Sequence, residues 1–387
     1  MRHNAFIVIA VVAMLVATTA FAQSKAGPTS STRPRSIDAS KYETLQAAID
    51  ALGSGGGAVR IPPGVYEISK PLVLQVGDVL IEGAGSSTHI KNINTNGQPA
   101  IVIEPPKGTK SIWRVKLANL RLTGNEKSGD GVRARKVDEF FAEGVTISYH
   151  GGAGIKLDGC YEDPRICDSL ISYNKQAGLD IAACHDIVVA SSHFEENRDA
   201  VVCVDAFNLC MNGNNIDDHL RHGVVIENTY GSVVSGNMIE ECQGTGIILD
   251  RDCYGITLSA NVIAHDFGGG IDLRGAHGCA VSANTFTIVP KRALAIGPGS
   301  GRITVTGNNF SDSYLGKGRE KRPEKDRAAS GIVLDAASEI AISGNVFSGL
   351  DTKAIDYDAK ASQQIILSGN LIVECQDDTS ADVKPAN

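Results

Sequence analysis

The chain has 387 residues and a formal net charge of −8 at pH 7, from 36 Lys plus Arg against 44 Asp plus Glu. A net acidic protein is a poor partner for nucleic acid or an anionic membrane surface. If its substrate is itself anionic, local basic groups or a bridging cation must offset the repulsion.

In chain order, Arg2 and His3 precede an apolar run that closes on Ala20-Phe21-Ala22. A charged start, an apolar centre and a small-x-small end predict a cleavable export signal over 1–22, and hence a periplasmic or extracellular protein. No comparable apolar run follows, so no membrane span is expected. Residues 23–36, rich in Ser, Thr, Pro and Gly, read as a flexible leader. In "SKYETLQAAIDAL" the residues Leu45, Ala48, Ile49 and Leu52 share one helical face, with Ser40 as N-cap and Gly53 as stop. This predicts a capping helix within 37–53.

From there the chain repeats itself. A small residue followed by Asn recurs at Asn214, Asn237, Asn261, Asn284, Asn308, Asn345 and Asn370, with gaps of 23, 24, 23, 24, 37 and 25 residues. A second phrase, Gly or Ala and then alternating apolar residues, keeps the same beat from Gly131 to Ala354. Each unit holds about three short alternating segments between turn residues, which predicts strands rather than a helical solenoid. Stacked units of this kind make a parallel β-helix of about ten or more coils of 22–25 residues. The recurring Asn is expected to face inward at a tight turn and bond the coils above and below. The coils are expected over 37–375, with an inserted basic loop at 311–330 and a tail at 376–387. From Lys317 to Arg327 that loop carries six basic and three acidic residues.

The entry segment "ETLQAAIDALGSGGGAVRIPPGVYEISKPLVL", followed by "VLIEGAGSSTHI", resembles that of the pectate-lyase-superfamily right-handed β-helix proteins. The resemblance covers about residues 37–375. It implies an all-β, right-handed parallel β-helix with an N-terminal capping α-helix. The superfamily holds lyases, hydrolases, epimerases, phage spikes and surface proteins, so the fold does not decide the activity. Two of its site signatures are altered here. Asp217-Asp218 and Arg221-His222-Gly223 echo the polygalacturonase Asp-Asp and Gly-His-Gly within one turn, and "EDPRI" has Arg165 where the alginate epimerases have His.

Alternation within each "GIxLx" phrase puts the second and fourth residues after the Gly outward. The outward face is then basic at its N-terminal end (Arg133, Arg135, Lys156), apolar in the middle, and charged again at Glu227, Asp250, Asp272 and Arg274. Loops bordering it carry Tyr173, His219, His222, His265 and Lys291. Such a groove suits an extended polysaccharide. Uronate β-elimination needs a base and a neutraliser of the substrate carboxylate. Arg274, Asp272, His219, His222 and His265 are candidates for those roles. Glu227, Asp250 and Asp272 are candidate ligands for Ca²⁺, and no organic cofactor is expected. Arg133, Arg135, Lys156, Asp180, Tyr173 and Lys291 are candidate substrate contacts. Two ladder carboxylates could instead hydrolyse a glycoside, or the face could bind glycan without reacting. Oligomeric state is left open. The nine Cys are an odd number for an exported chain. Cys160 and Cys184, one coil apart, could form a stacked disulfide or remain free thiols.

Overall fold

The computed structural model describes residues 35–311 and 329–376. The export signal, the leader up to residue 34, the basic segment Lys317–Arg327 and the tail from 377 lie outside the described residues.

Within each coil the chain makes three short strands, as in Val224–Glu227, Val233–Ser235 and Met238–Glu240, before entering the next coil at Thr245–Asp250. The first strand type stacks into a twelve-stranded sheet and the other two into a 25-stranded one. All the pairs are parallel, and the twelve-stranded sheet runs in register, so Val224, Ile247, Ile271 and Leu294 stand above one another. Their side chains point inward and are almost wholly buried. Each such Leu, Ile or Val contributes about 1.5–3 kcal/mol. Three phenylalanines, Phe286, Phe310 and Phe347, stack inside at 4.6 and 4.8 Å with nearly parallel rings.

The predicted Asn row is continuous. Asn214, Asn237, Asn261, Asn284, Asn308 and Asn345 each donate from Nδ2 to the Oδ1 of the next, at 2.9–3.0 Å. A second inward row escaped the sequence reading. His150, Asn174, Asn197, His219, Cys242 and Asp266 occupy the corner before each strand of the twelve-stranded sheet, all buried. Here Asn174 bonds Asn197 at 2.8 Å, and Cys242 N–H bonds Asp266 Oδ1 at 3.0 Å.

Asp266 Oδ2 has no hydrogen-bond partner, and burial pushes the carboxyl well above its ordinary value, favouring the protonated form in the fold. The unfolded carboxyl titrates near 3.8. Above that pH the unfolded state loses a proton that the folded state keeps, so wild-type stability falls as pH rises. Asp266→Asn, matching Asn174 and Asn197, is expected to add roughly 1–3 kcal/mol at neutral pH and to flatten that pH dependence. Chemical denaturation at several pH values checks this; a destabilised variant refutes it.

The N-terminal cap differs in detail from expectation. Arg35–Asp38 is a strand paired with Gly57–Arg60, so Arg35 and Ser36 belong to the β-helix rather than to a leader. The helix is shorter than predicted, Leu45–Asp50, and Thr44 rather than Ser40 caps it by accepting the Ala47 N–H. Asp38 draws Ser40 into a separate 3₁₀ turn, Ala39–Lys41. Leu45, Ala48, Ile49 and Leu52 are buried as the pattern required. Gly53 adopts φ +63°, beyond the helix end. The eight cysteines from Cys160 to Cys279 are free thiols, and Cys160 N–H merely bonds Cys184 Sγ at 3.4 Å.

Candidate functional site

The outward face of the twelve-stranded sheet forms two columns of side chains, because strand alternation and exact register put equivalent residues above one another. One column runs Asp180, Val202, Val225, Ile248, Asp272 and Ala295; the other includes Val204, Glu227 and Asp250, with Arg274 just beyond the end of the strand Gly269–Leu273. Val202, Val225 and Ile248 make an apolar floor between a basic end and an acidic one.

At the acidic end, Arg274 binds Asp272 Oδ2 through Nε at 2.9 Å and Nη2 at 2.6 Å. Its Nη1 lies 3.6 Å from Asp250. These contacts, that with Asp272 first, raise the guanidinium pKa further. Asp272 is only 8% exposed. Its Oδ1 takes no part in the ion pair.

His222 precedes the strand Val224–Glu227 on the border of the same sheet, two coils before this pair and within range of the charges of Arg274 and Asp272. Burial, Arg221 and Arg274 outweigh the nearby carboxylates and lower its pKa, so the ring is neutral at neutral pH. Thr245 N–H donates to His222 Nδ1 at 3.0 Å. The neutral ring therefore carries its proton on Nε2. A ring in this tautomer is a hydrogen-bond donor to a substrate, not a base, since the only nitrogen free to gain a proton already accepts a backbone bond. The expected choice between base and neutraliser thus falls on the second for His222. Gly244 leaves room for the ring, because a Cβ there would collide with it.

What holds His222 is Asp199, a residue the sequence reading missed. Its fully buried carboxylate accepts Arg221 Nε and Nη2 at 2.7 and 2.8 Å, Arg198 Nε at 3.1 Å and the His222 backbone N–H at 3.1 Å. Burial pushes its pKa up, but Arg221, the His222 N–H and Arg198 outweigh this and leave it below the ordinary carboxylate value. The signal was present: Asp199 immediately precedes Ala200 as Asp130 precedes Gly131.

At the basic end, the structure brings Arg133, Lys156 and Asp180 together around a concavity of about 300 Å³ that Arg198 and Gln176 also line. Arg133 pairs with Asp130 at 2.8 Å and Lys156 with Asp180 at 2.6 Å. Arg135 turns away to Glu104. Asp180 and Asp272 are four strands apart, about 19 Å at ordinary strand spacing.

Several candidates stand elsewhere. His219 is wholly buried in the inner row, where Asn197 O accepts or faces its Nδ1 at 3.2 Å, and burial lowers its pKa to about 4. It faces the core and reaches no substrate, because the residue after each left-handed corner turns inward. His265 occupies such a corner, at φ +58°, with Nδ1 4.0 Å from Glu241. Tyr173 stacks on Tyr149 at 5.0 Å on the same corner, and Glu195 raises its pKa. Lys291 is exposed in the loop before the strand Leu294–Ile296. The proposed Ca²⁺ set is dispersed. Glu227 is taken by Arg251 at 2.6 Å, Asp250 faces Arg274, and Asp272 lies in the other column. These three carboxylates, already neutralised by arginines, do not fit a cation. Among the described residues, carboxylates do converge within 4.8 Å at Asp217, Asp218 and Glu241, on the corner below His265.

No helix among the described residues is long and apolar enough to cross a membrane. No curated protein matches the sequence. Among solved structures, the A-module of mannuronan C-5 epimerase AlgE6 from Azotobacter vinelandii is 19% identical with TM-score 0.61, covering 88% of this chain and 94% of that one. The periplasmic alginate epimerase AlgG is 14% identical with TM-score 0.55, covering 87% of this chain and 83% of that one. Tailspike protein 2 from a bacteriophage of Escherichia coli O157:H7 is 14% identical with TM-score 0.58, covering 81% of this chain and 43% of that one. The family described as "Right handed beta helix region" matches residues 73–219, 130–286, 202–310 and 246–381. With those overlapping matches running through the coils that carry the groove, the chain belongs to the right-handed β-helix family.

Proposed function

We propose that this is an exported, carbohydrate-active β-helix protein whose outward groove acts on a uronate-containing polysaccharide by removing the proton at C5, with β-elimination as the outcome. The observation that carries this is the Asp272–Arg274–His222 cluster at one end of an apolar floor, with Arg133, Lys156 and Arg198 at the other. Proton abstraction next to a carboxylate needs a base and donors aimed at the charge that develops on that carboxylate. Asp272 Oδ1 takes the C5 proton. Arg274 and the His222 Nε2–H hydrogen-bond the substrate carboxylate as electron density moves into it. The electron pair then forms the C4=C5 double bond while the C4–O bond breaks, and the departing oxygen gains a proton from water. The basic end holds a carboxylate further along the polymer.

A second reading shares the first step. Returning a proton to the opposite face of C5 is epimerisation, and the structural similarity to two named alginate epimerases favours it as the alternative. Incubation with alginate and with polygalacturonate in deuterated water separates the outcomes, with and without Ca²⁺. Ultraviolet absorbance of an unsaturated product, whose C5 carries no hydrogen, without deuterium at C5 of the remaining units supports elimination. Deuterium without absorbance supports epimerisation. New reducing ends with neither absorbance nor deuterium mean hydrolysis by ladder carboxylates. Silence in all three overturns the enzymatic reading in favour of a binding scaffold.

A further inference from the structure

A single file of rings runs along the corner where each strand of the twelve-stranded sheet turns into the next sheet. His185, Phe207, Tyr230, Tyr254 and His277 pair coil to coil in parallel bridges, and Tyr161 stands below His185. The row follows the edge of the sheet that carries Asp158, Glu227 and Asp250, with Tyr161 and His185 on the coils of Lys156 and Asp180. Nothing in the proposed reaction uses it.

The rings are not arranged like the interior aromatic stack. Phe286, Phe310 and Phe347 lie at interplanar angles of 3° and 7°, so each face is covered by its neighbour. On the corner the centroid spacings are 6.2, 5.3 and 5.4 Å and the interplanar angles 39°, 56° and 35°. Tilted rings leave part of each face open. Tyr161, Phe207 and Tyr254 are 49%, 42% and 51% exposed. Aromatic rings on six successive coils, with those of Tyr161, Phe207 and Tyr254 exposed and the three between and beyond them half-buried, are costly to leave without use.

Hydrogen-bonding groups are held rigidly beside them. Asn208 Nδ2 donates to Asp186 Oδ1 and Asn228 Nδ2 to Asp205 Oδ1, both at 2.8 Å, while Tyr230 Oη donates to Asn228 Oδ1 at 3.1 Å. The row is one ring wide and bordered by polar side chains. A stable protein interface needs about 800 Å² on each partner with a contiguous apolar centre, which so narrow a ridge does not supply. An extended sugar chain is narrow, carries C–H faces that pack on aromatic rings, and has hydroxyls for flanking amides and carboxylates. The carboxylates of Asp186 and Asp205 repel a polyanion, and the nearby Arg251 is committed to Glu227 at 2.6 Å.

We infer that this aromatic ridge is a second carbohydrate-binding site, and that it takes an uncharged polysaccharide rather than the uronate polymer assigned to the groove. The ridge would tether the protein to a neutral glycan while the groove works on an acidic one. The inference stands whether or not the groove is catalytic.

Native electrophoresis of the mature protein in gels containing hydroxyethylcellulose, galactomannan or alginate tests it. At least one neutral polymer is expected to retard the wild type. The double variant Phe207→Ala/Tyr254→Ala should weaken that retardation by roughly tenfold. Phe207→Tyr should keep it, and so should Asp272→Asn, which leaves the ridge intact. Unfolding midpoints of the variants close to wild type show that the fold is preserved. Absence of retardation by either neutral polymer, or equal retardation of the double variant, overturns the inference. So does size-exclusion evidence of a dimer that the double variant dissolves, which would make the ridge a self-association surface.

Discussion

Asp272→Asn is expected to lower turnover on the active uronate polymer by at least ~10²-fold while changing KM far less. The substitution preserves shape, and the amide oxygen can still accept from Arg274. What it removes is the only group in the cluster able to take a proton, since His222 presents its Nε2–H and Arg274 is always charged. Folding should change little, because Arg274 is half exposed and keeps Asp250 at 3.6 Å. The measurement is steady-state kinetics beside a thermal unfolding curve. Turnover within ~3-fold of wild type would place the base elsewhere and refute the role given to Asp272.

Asn261→Ala is expected to be the most damaging single change to stability. Asn261 Oδ1 accepts both the backbone N–H and the Nδ2 of Asn237 at 3.0 Å, and its own Nδ2 donates to Val234 O and Asn284 Oδ1 at 3.0 Å. Alanine replaces none of these and strands donors and acceptors where no water reaches. At roughly 1–3 kcal/mol per stranded group the loss sums to about 3–5 kcal/mol, a drop of roughly 5–10 °C in the unfolding midpoint. Asn370→Ala is the internal comparison. Asn370 is only partly buried and bonds the preceding coil alone, through Asn345 and Ile342 O, so its loss should cost less than half as much. Equal effects at the two positions would mean that the row does not act through stacked bonds.

The coils were legible because each repeats the same physical demand. Inward strand positions must be apolar, and the turn that cannot satisfy its own backbone needs an amide, so both recur at 23–25 residues. The outward columns followed from alternation alone, and Arg133, Lys156 and Asp180 do meet. His219 failed for a related reason. Its "DDHLRH" context looks like a polar loop, but the left-handed residue Asp218, at φ +56°, turns the next side chain into the core. Neither periodicity nor composition marks such a corner when Tyr, Glu, Asp and His occupy it in turn. The candidate Ca²⁺ ligands Glu227, Asp250 and Asp272 are engaged by Arg251 and Arg274, and nothing in the alternation shows which charged neighbours will pair. Asp199 was missed because a buried carboxylate is recognised by its partners, and Arg221 belongs to the next coil.

The Asn row also shows where this protein can change length. Between Asn308 and Asn345 the chain spends 37 residues instead of 23 or 24, yet Asn308 Nδ2 still meets Asn345 Oδ1 at 3.0 Å, and Asn308 N–H meets the same oxygen at 2.9 Å. The solenoid registers no difference. Closing a longer loop adds only about 0.6 kcal/mol for each doubling of its length, against a ladder whose bonds are all kept. Segments of quite different size and charge can therefore be exchanged between Ser311 and Ala329 as independent modules, without renegotiating the stacked coils on either side.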